Sequence, residues 1–132
     1  MFFFWIDPSE IPIFGPGLSK VDASLELLRA VDPGMPIGAA AAFVRIGRSM
    51  PILASGAGTL KSISAQMQVP YATFLRHTDL LAEGAPGTKA LRLIEKGVHP
   101  EDRRARQVRL TPNGLALLQQ LDELNSTDGS RT

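Results

Sequence analysis

Four arginines stand within seven residues, Arg103, Arg104, Arg106 and Arg109, and lead straight into Thr111-Pro112-Asn113-Gly114. Few folds accommodate that order. Val108 and Leu110 alternate with polar neighbours, which is the period of a strand with one covered face. Thr111 offers a hydroxyl that caps a helix, and Pro112 suits the first helical position, where a missing N–H costs nothing. The segment reads as a hairpin tip, a returning strand and an abruptly started leucine-rich helix. Exposed guanidinium groups on a projecting hairpin suit a phosphate backbone better than a reaction centre.

Upstream, residues 59–67 carry Leu60, Ile63 and Met67 on one helical stripe, behind a candidate N-cap at Thr59. Gln68-Val69-Pro70 interrupts that helix. Residues 71–83 form the next one, with Phe74, Leu75, Thr78 and Leu81 inward and Gly84 as its stop. Two short helices joined by a turn of three or four residues make a helix-turn-helix unit, whose second helix enters a major groove. Tyr71, Ala72, Thr73 and Arg76 fall on its N-terminal part and are the candidate DNA contacts. Arginine reads guanine edges or grips phosphate, threonine hydrogen-bonds or touches a thymine methyl, and tyrosine donates to phosphate.

Asp102, Arg104, Leu110, Thr111 and Gly114 resemble the wing of MarR-type winged helix-turn-helix regulators, whose pattern runs D-x-R, a short strand, then L-T-x-x-G. The resemblance covers residues 36–121 and rests on the order of elements as well as on the motif. It implies a mainly α fold with a small β-hairpin wing (α+β, winged helix-turn-helix). It implies a transcriptional regulator, read here as a repressor, that binds double-stranded DNA sequence-specifically as a homodimer. On this reading Arg103, Arg104 and Arg106 join the helix residues at the DNA. Asp102 and Arg104 pair to hold the wing turn, since a carboxylate in a basic cluster repels DNA unless it is neutralised internally. Related proteins also bind small aromatic acids between dimer helices and DNA-binding lobe, although no residue here identifies such an effector. The chain departs from the pattern in three places. Pro70 stands where Ser or Thr usually caps the reading helix, and His77 stands where an aliphatic is usual. The eighteen residues from Gly84 to Asp102 exceed the family's span. Residues 85–88 read as an inserted turn and residues 89–95 as the outgoing strand, so the wing is expected to be long.

Composition narrows the alternatives. A chain of 132 residues, 44% hydrophobic and 20% charged, buries one core. It has no cysteine, hence no thiol nucleophile and no Cys-based zinc site. His77 and His99 have no carboxylate at metal-ligand spacing, so neither a metal nor another cofactor is expected. Asp7, Glu10, Asp79 and Glu83 make no acid/base pair with a nucleophile, and residues 55–58 lack the Lys-Ser/Thr ending of a phosphate loop. An enzyme is not expected. No consecutive apolar run approaches the ~18 residues of a membrane span, and residues 1–6 lack the basic start of a secretory signal. A cytoplasmic location without membrane contact follows as the expectation.

The net charge of +1 conceals an asymmetry. Residues 36–112 hold eleven basic and five acidic groups (+6), whereas residues 1–35 hold two and five (−3) and residues 113–132 one and three (−2). That is the electrostatic footprint of a DNA-binding region, residues 36–112, between an N-terminal apolar arm and helix read as a dimer contact (1–35) and a C-terminal dimerisation helix with a polar tail (113–132). Residues 19–31 form an amphipathic helix. Residues 36–50 form an alanine-rich one, with Ile37, Ala41, Phe43, Val44 and Ile46 inward. The last helix carries Leu117, Leu121 and Leu124 as the candidate dimer seam; the alternative is that these leucines cap the monomer's own core. Phe2, Phe3, Phe4, Trp5, Ile13 and Phe14 add to the seam, clamp the monomer or cover an effector pocket. Another class of function also stays open: a winged-helix protein-interaction module without DNA binding.

Overall fold

The computed structural model of the chain describes residues 8–10, 12–56, 58–84, 90–98 and 106–126. A turn of 3-10 helix at Pro8–Glu10 precedes α1 (Pro16–Val31), α2 (Ile37–Ala54), α3 (Leu60–Gln66) and α4 (Tyr71–Leu81). A hairpin of β1 (Ile94–Val98) and β2 (Arg106–Leu110) follows, and then α5 (Pro112–Asn125). The described residues are mainly helical with one two-stranded antiparallel sheet, an α+β arrangement. Asp102, Arg103 and Arg104 lie outside the described residues, as do the turn expected at 85–88 and the N-terminal aromatics Phe2, Phe3, Phe4 and Trp5.

Helix α2 is the centre of the core and packs against α4, α5 and β2. Its buried stripe is Ala39, Ala42, Phe43 and Ile46, which differs from the expected one. Phe43 and Ile46 are inward as expected, but Ala41 and Val44 are exposed and Ile37 is 80% exposed. The error has a physical source. A helix apolar on every side has no periodicity to orient it, and the short alanines let another face approach its neighbours closely. Gly38 shows how closely, because a Cβ added there would meet the His77 ring, with Nε2 at 2.9 Å. A Cβ at Gly47 would meet Leu118 Cδ1 at 2.6 Å. The half-buried His77 thus packs on the α2 backbone in place of the aliphatic expected there.

Two boundaries also differ from expectation. Helix α1 begins at Pro16, with the proline in the first turn, three residues before the expected start. Helix α2 continues past Pro51 to Ala54, forgoing the one i→i−4 bond a proline cannot donate. It is also long and apolar enough to cross a bilayer by length and composition, with a mean hydropathy of 1.3, a property that counting consecutive apolar residues misses. Here only the side carrying Ala39, Ala42, Phe43 and Ile46 is buried in the core just described, and Arg48 on its outer side is exposed.

Helix α5 starts as its sequence dictates. The Thr111 hydroxyl accepts from the Gly114 N–H at 3.0 Å and donates to the Arg92 carbonyl at 2.6 Å. The Thr111 N–H donates to the Leu93 carbonyl at 3.1 Å. The cap therefore also stitches the helix to the strand entering the hairpin. Gly114 is buried in this junction, where a Cβ would collide with the Leu93 carbonyl group. The glycine of the L-T-x-x-G motif is there because backbone occupies the side-chain position.

Candidate nucleic-acid interface

Helix α3 opens on a reciprocal cap. Thr59 Oγ1 accepts from the Ser62 N–H at 3.1 Å, and Ser62 Oγ accepts from the Thr59 N–H at 2.9 Å. Leu60 and Ile63 are buried and Met67 is half-buried, the stripe expected for the first of the paired helices. The chain then turns within residues 67–70, with Gln68 in the left-handed region at φ 57°. Pro70 supplies no side-chain cap; its carbonyl accepts from the Phe74 N–H at 2.9 Å and starts α4 directly. Phe74, Thr78 and Leu81 are fully buried and Leu75 is half-buried, so the inner face of α4 is the expected one.

The outer face of α4 carries Ala72, Arg76 and Asp79, all exposed, with Thr73 half-buried beside them. Arg76 Nη2 lies 3.4 Å from Thr73 Oγ1, a long contact that leaves most of the guanidinium's donors free for another acceptor. Tyr71 differs from its neighbours. Its side chain is half-buried and packs against the core. Of the four helix candidates, Ala72, Thr73 and Arg76 thus share one outward patch, while Tyr71 is at its edge.

The hairpin stands beside this helix. Leu91, Arg92 and Leu93 run alongside the end of α4, their N–H groups donating to the carbonyls of Leu80, Ala82 and Leu81 at 3.3, 3.0 and 2.8 Å. Arg92 has φ 53°, which breaks the extended run, so the strand begins at Ile94 and not near residue 89 as expected. In the ladder Ile94 faces Leu110 and Lys96 faces Val108, while Glu95 pairs with Arg109 and Gly97 with Gln107 on the other side. Ile94 and Val108 are buried and Lys96 and Leu110 half-buried, whereas the opposite face is exposed. On that outer face Arg109 Nη2 lies 3.3 Å from Glu95 Oε2, an exposed cross-strand ion pair. Arg106 pairs with Val98 at the far end of the ladder. Of the wing candidates, only the backbone of Arg106 falls within the description; Asp102, Arg103 and Arg104 do not.

Lys96 was not visible as a site residue in the sequence. Its Nζ reaches back to α4, pairing with the Asp79 carboxylate and donating to Thr78 Oγ1 at 3.2 Å. A lysine on the covered face of a strand contradicts the usual pattern, and that contradiction was the available signal.

The candidate dimer leucines require a correction. Leu117 and Leu121 are buried in the chain's own core, at 6% and 8% exposure, and Leu124 is half-buried. Helix α5 lays Leu117 and Leu121 onto the domain, the alternative kept open above, so these two are not an uncovered seam. Uncovered apolar side chains include Ile37 and Ile52 on α2 and a stripe along α1 and the residues just before it. Phe14, Leu18, Val21 and Leu25 are each about half exposed or more, at spacings of four, three and four residues along one side. They line an open groove of about 460 Å³ with Gly15, Ser19 and Asp22. Among the described residues no group of three or more His, Cys, Asp or Glu is placed to hold a metal ion. Comparison with protein-family models, with curated proteins and with solved structures finds no match for this chain.

Proposed function

We propose that the chain is a winged helix-turn-helix transcriptional regulator of the MarR type, which binds double-stranded DNA sequence-specifically as a homodimer. The observation that carries this reading is the juxtaposition of two elements. Helix α4, preceded by a short helix and a four-residue turn, carries Ala72, Thr73 and Arg76 outward, and a basic hairpin is fastened to its side. In this arrangement α4 enters a major groove and the hairpin tracks the flanking phosphates, with Arg103, Arg104 and Arg106 supplying charge. The exposed α1 stripe supports a second copy as partner, since a lone apolar face of that length gains by being covered. A small aromatic effector stays part of the reading through the resemblance alone.

The test is selection of bound sequences from a random double-stranded pool, followed by titration of the selected site at several salt concentrations. Arg76→Ala is expected to cost on the order of 1–3 kcal/mol on the preferred site and to relax preference at one base position. An equal loss on every sequence would make Arg76 a phosphate anchor and move specificity to Thr73 or to DNA shape. Replacing Arg103 and Arg106 with Ala is expected to weaken all sequences alike and to flatten the salt slope by roughly two charges' worth.

One observation favours a second reading, a protein-interaction module. The apolar stripe of Phe14, Leu18, Val21 and Leu25 is uncovered in the single chain and suits the apolar face of a partner polypeptide. Absence of any salt-sensitive DNA binding in the titration would decide for that module.

A further inference from the structure

We infer that Lys96 is a positioning residue, locking the hairpin to α4 so that the two elements meet DNA as one rigid unit; this rests on the DNA-binding reading above. The ladder register puts Lys96 on the covered face of β1, on the same side as Ile94 and opposite Val108. Its side chain is only 15% exposed. An ammonium group in that position is costly unless it is paired, and both of its partners lie on α4. Asp79 supplies the countercharge and Thr78 Oγ1 a second acceptor at 3.2 Å. Thr78 is itself fully buried and gives its proton to the Leu75 carbonyl at 2.8 Å, which leaves an oxygen lone pair fixed toward Lys96. The backbone bonds of residues 91–93 hold the base of the hairpin; Lys96 acts further out, where a hinge at that base would have most leverage.

The same pair has an electrostatic side. Asp79 is half-exposed and lies one turn beyond Arg76 on the outer stripe of α4. Unpaired, its carboxylate would repel a phosphate backbone; paired, it is neutral at distance. Asp79→Asn therefore separates two effects of opposite sign. Losing a negative charge at the interface strengthens DNA binding, whereas losing the lock weakens it.

The experiment measures, for the full chain, Asp79→Asn, Lys96→Met, the double variant and Lys96→Arg, both affinity for the selected DNA site and native-state amide exchange in the hairpin ladder. The expected result is that Asp79→Asn weakens binding about fivefold or more despite its lost negative charge, and that the double variant is no worse than the weaker single one, the non-additivity of coupled partners. Lys96→Arg, which keeps a cation within reach of Asp79, restores most of the affinity. Ladder amides exchange about fivefold faster in Asp79→Asn and Lys96→Met, with the core amides of α2 unchanged. Equal or tighter binding by Asp79→Asn, or ladder exchange identical to the parent's, overturns the lock. Failure of the parent chain to bind any DNA sinks the functional reading instead, and the exchange data then decide on the lock alone.

Discussion

Gly114→Ala is expected to destabilise the chain by about 3 kcal/mol or more, because overpacking against fixed backbone has no cheap relaxation. The added methyl group would occupy the place of the Leu93 carbonyl, with the Leu93 carbonyl carbon 2.9 Å away. To make room, α5 must lift away from the strand entry. That motion strains the Thr111 cap, whose hydroxyl bonds to Gly114 N–H and Arg92 carbonyl sit on opposite sides of the same gap. The measurement is urea unfolding followed by circular dichroism, with Gly97→Ala as comparison. Gly97 lies in β1 with nothing within 4 Å of an added Cβ, and its exchange should be nearly neutral. A Gly114→Ala protein as stable as the parent would mean that the junction of α5 with residue 93 is looser than described.

Replacing Leu117 and Leu121 with Glu is expected to unfold the chain. Both side chains are buried, and each carboxylate forced into that space costs several kcal/mol, so that together they are comparable with the whole stability of a small domain, roughly 5–15 kcal/mol. Loss of the helical signal and of cooperative melting is the outcome to look for. The matching pair on α1, Leu18→Glu and Val21→Glu, places charge on exposed positions and is expected to leave the fold intact. If a second copy covers α1, that variant has half the parent's mass by light scattering. A folded, monomeric Leu117/Leu121 variant would return the seam to α5, against the burial seen here.

What could be read from the residues follows a physical divide. Caps and turns depend on neighbours a few positions apart, so Thr59, Pro70, Thr111 and Pro112 disclosed where α3, α4 and α5 begin. The inner face of α4 was equally plain, since Phe74, Thr78 and Leu81 stand against polar residues on the other side. The inner face of α2 was not, because nearly every residue around that helix is apolar or small. Helix α5 presented leucines on several sides, and which of them are covered depends on how it docks, information held by distant elements. Arg92 in a left-handed conformation moved the start of β1, and no local rule anticipates an arginine there. Lys96 was hidden for a related reason. Its role needs Asp79 and Thr78, which come together with it only once the hairpin folds back on α4.

The tie between the two ends of the described chain has a consequence for the order of assembly. Lys20 Nζ donates to the Ser126 carbonyl at 3.2 Å, and Asn125 Nδ2 donates to Ser24 Oγ at 2.8 Å, so α1 has its polar anchors on α5. On a ribosome α1 emerges first and its anchors last, with separations of 106 and 101 residues along the chain. At about 5–20 residues per second, α1 waits roughly 5–20 s for them. During that interval the middle of the chain closes its short-range contacts, while α1 stays undocked with its exposed stripe and Leu28, buried once the chain is folded, both open to water. Refolding from denaturant meets the same long loop, and docking of α1 is expected as the slow phase, read as late protection of α1 amides in pulsed hydrogen exchange.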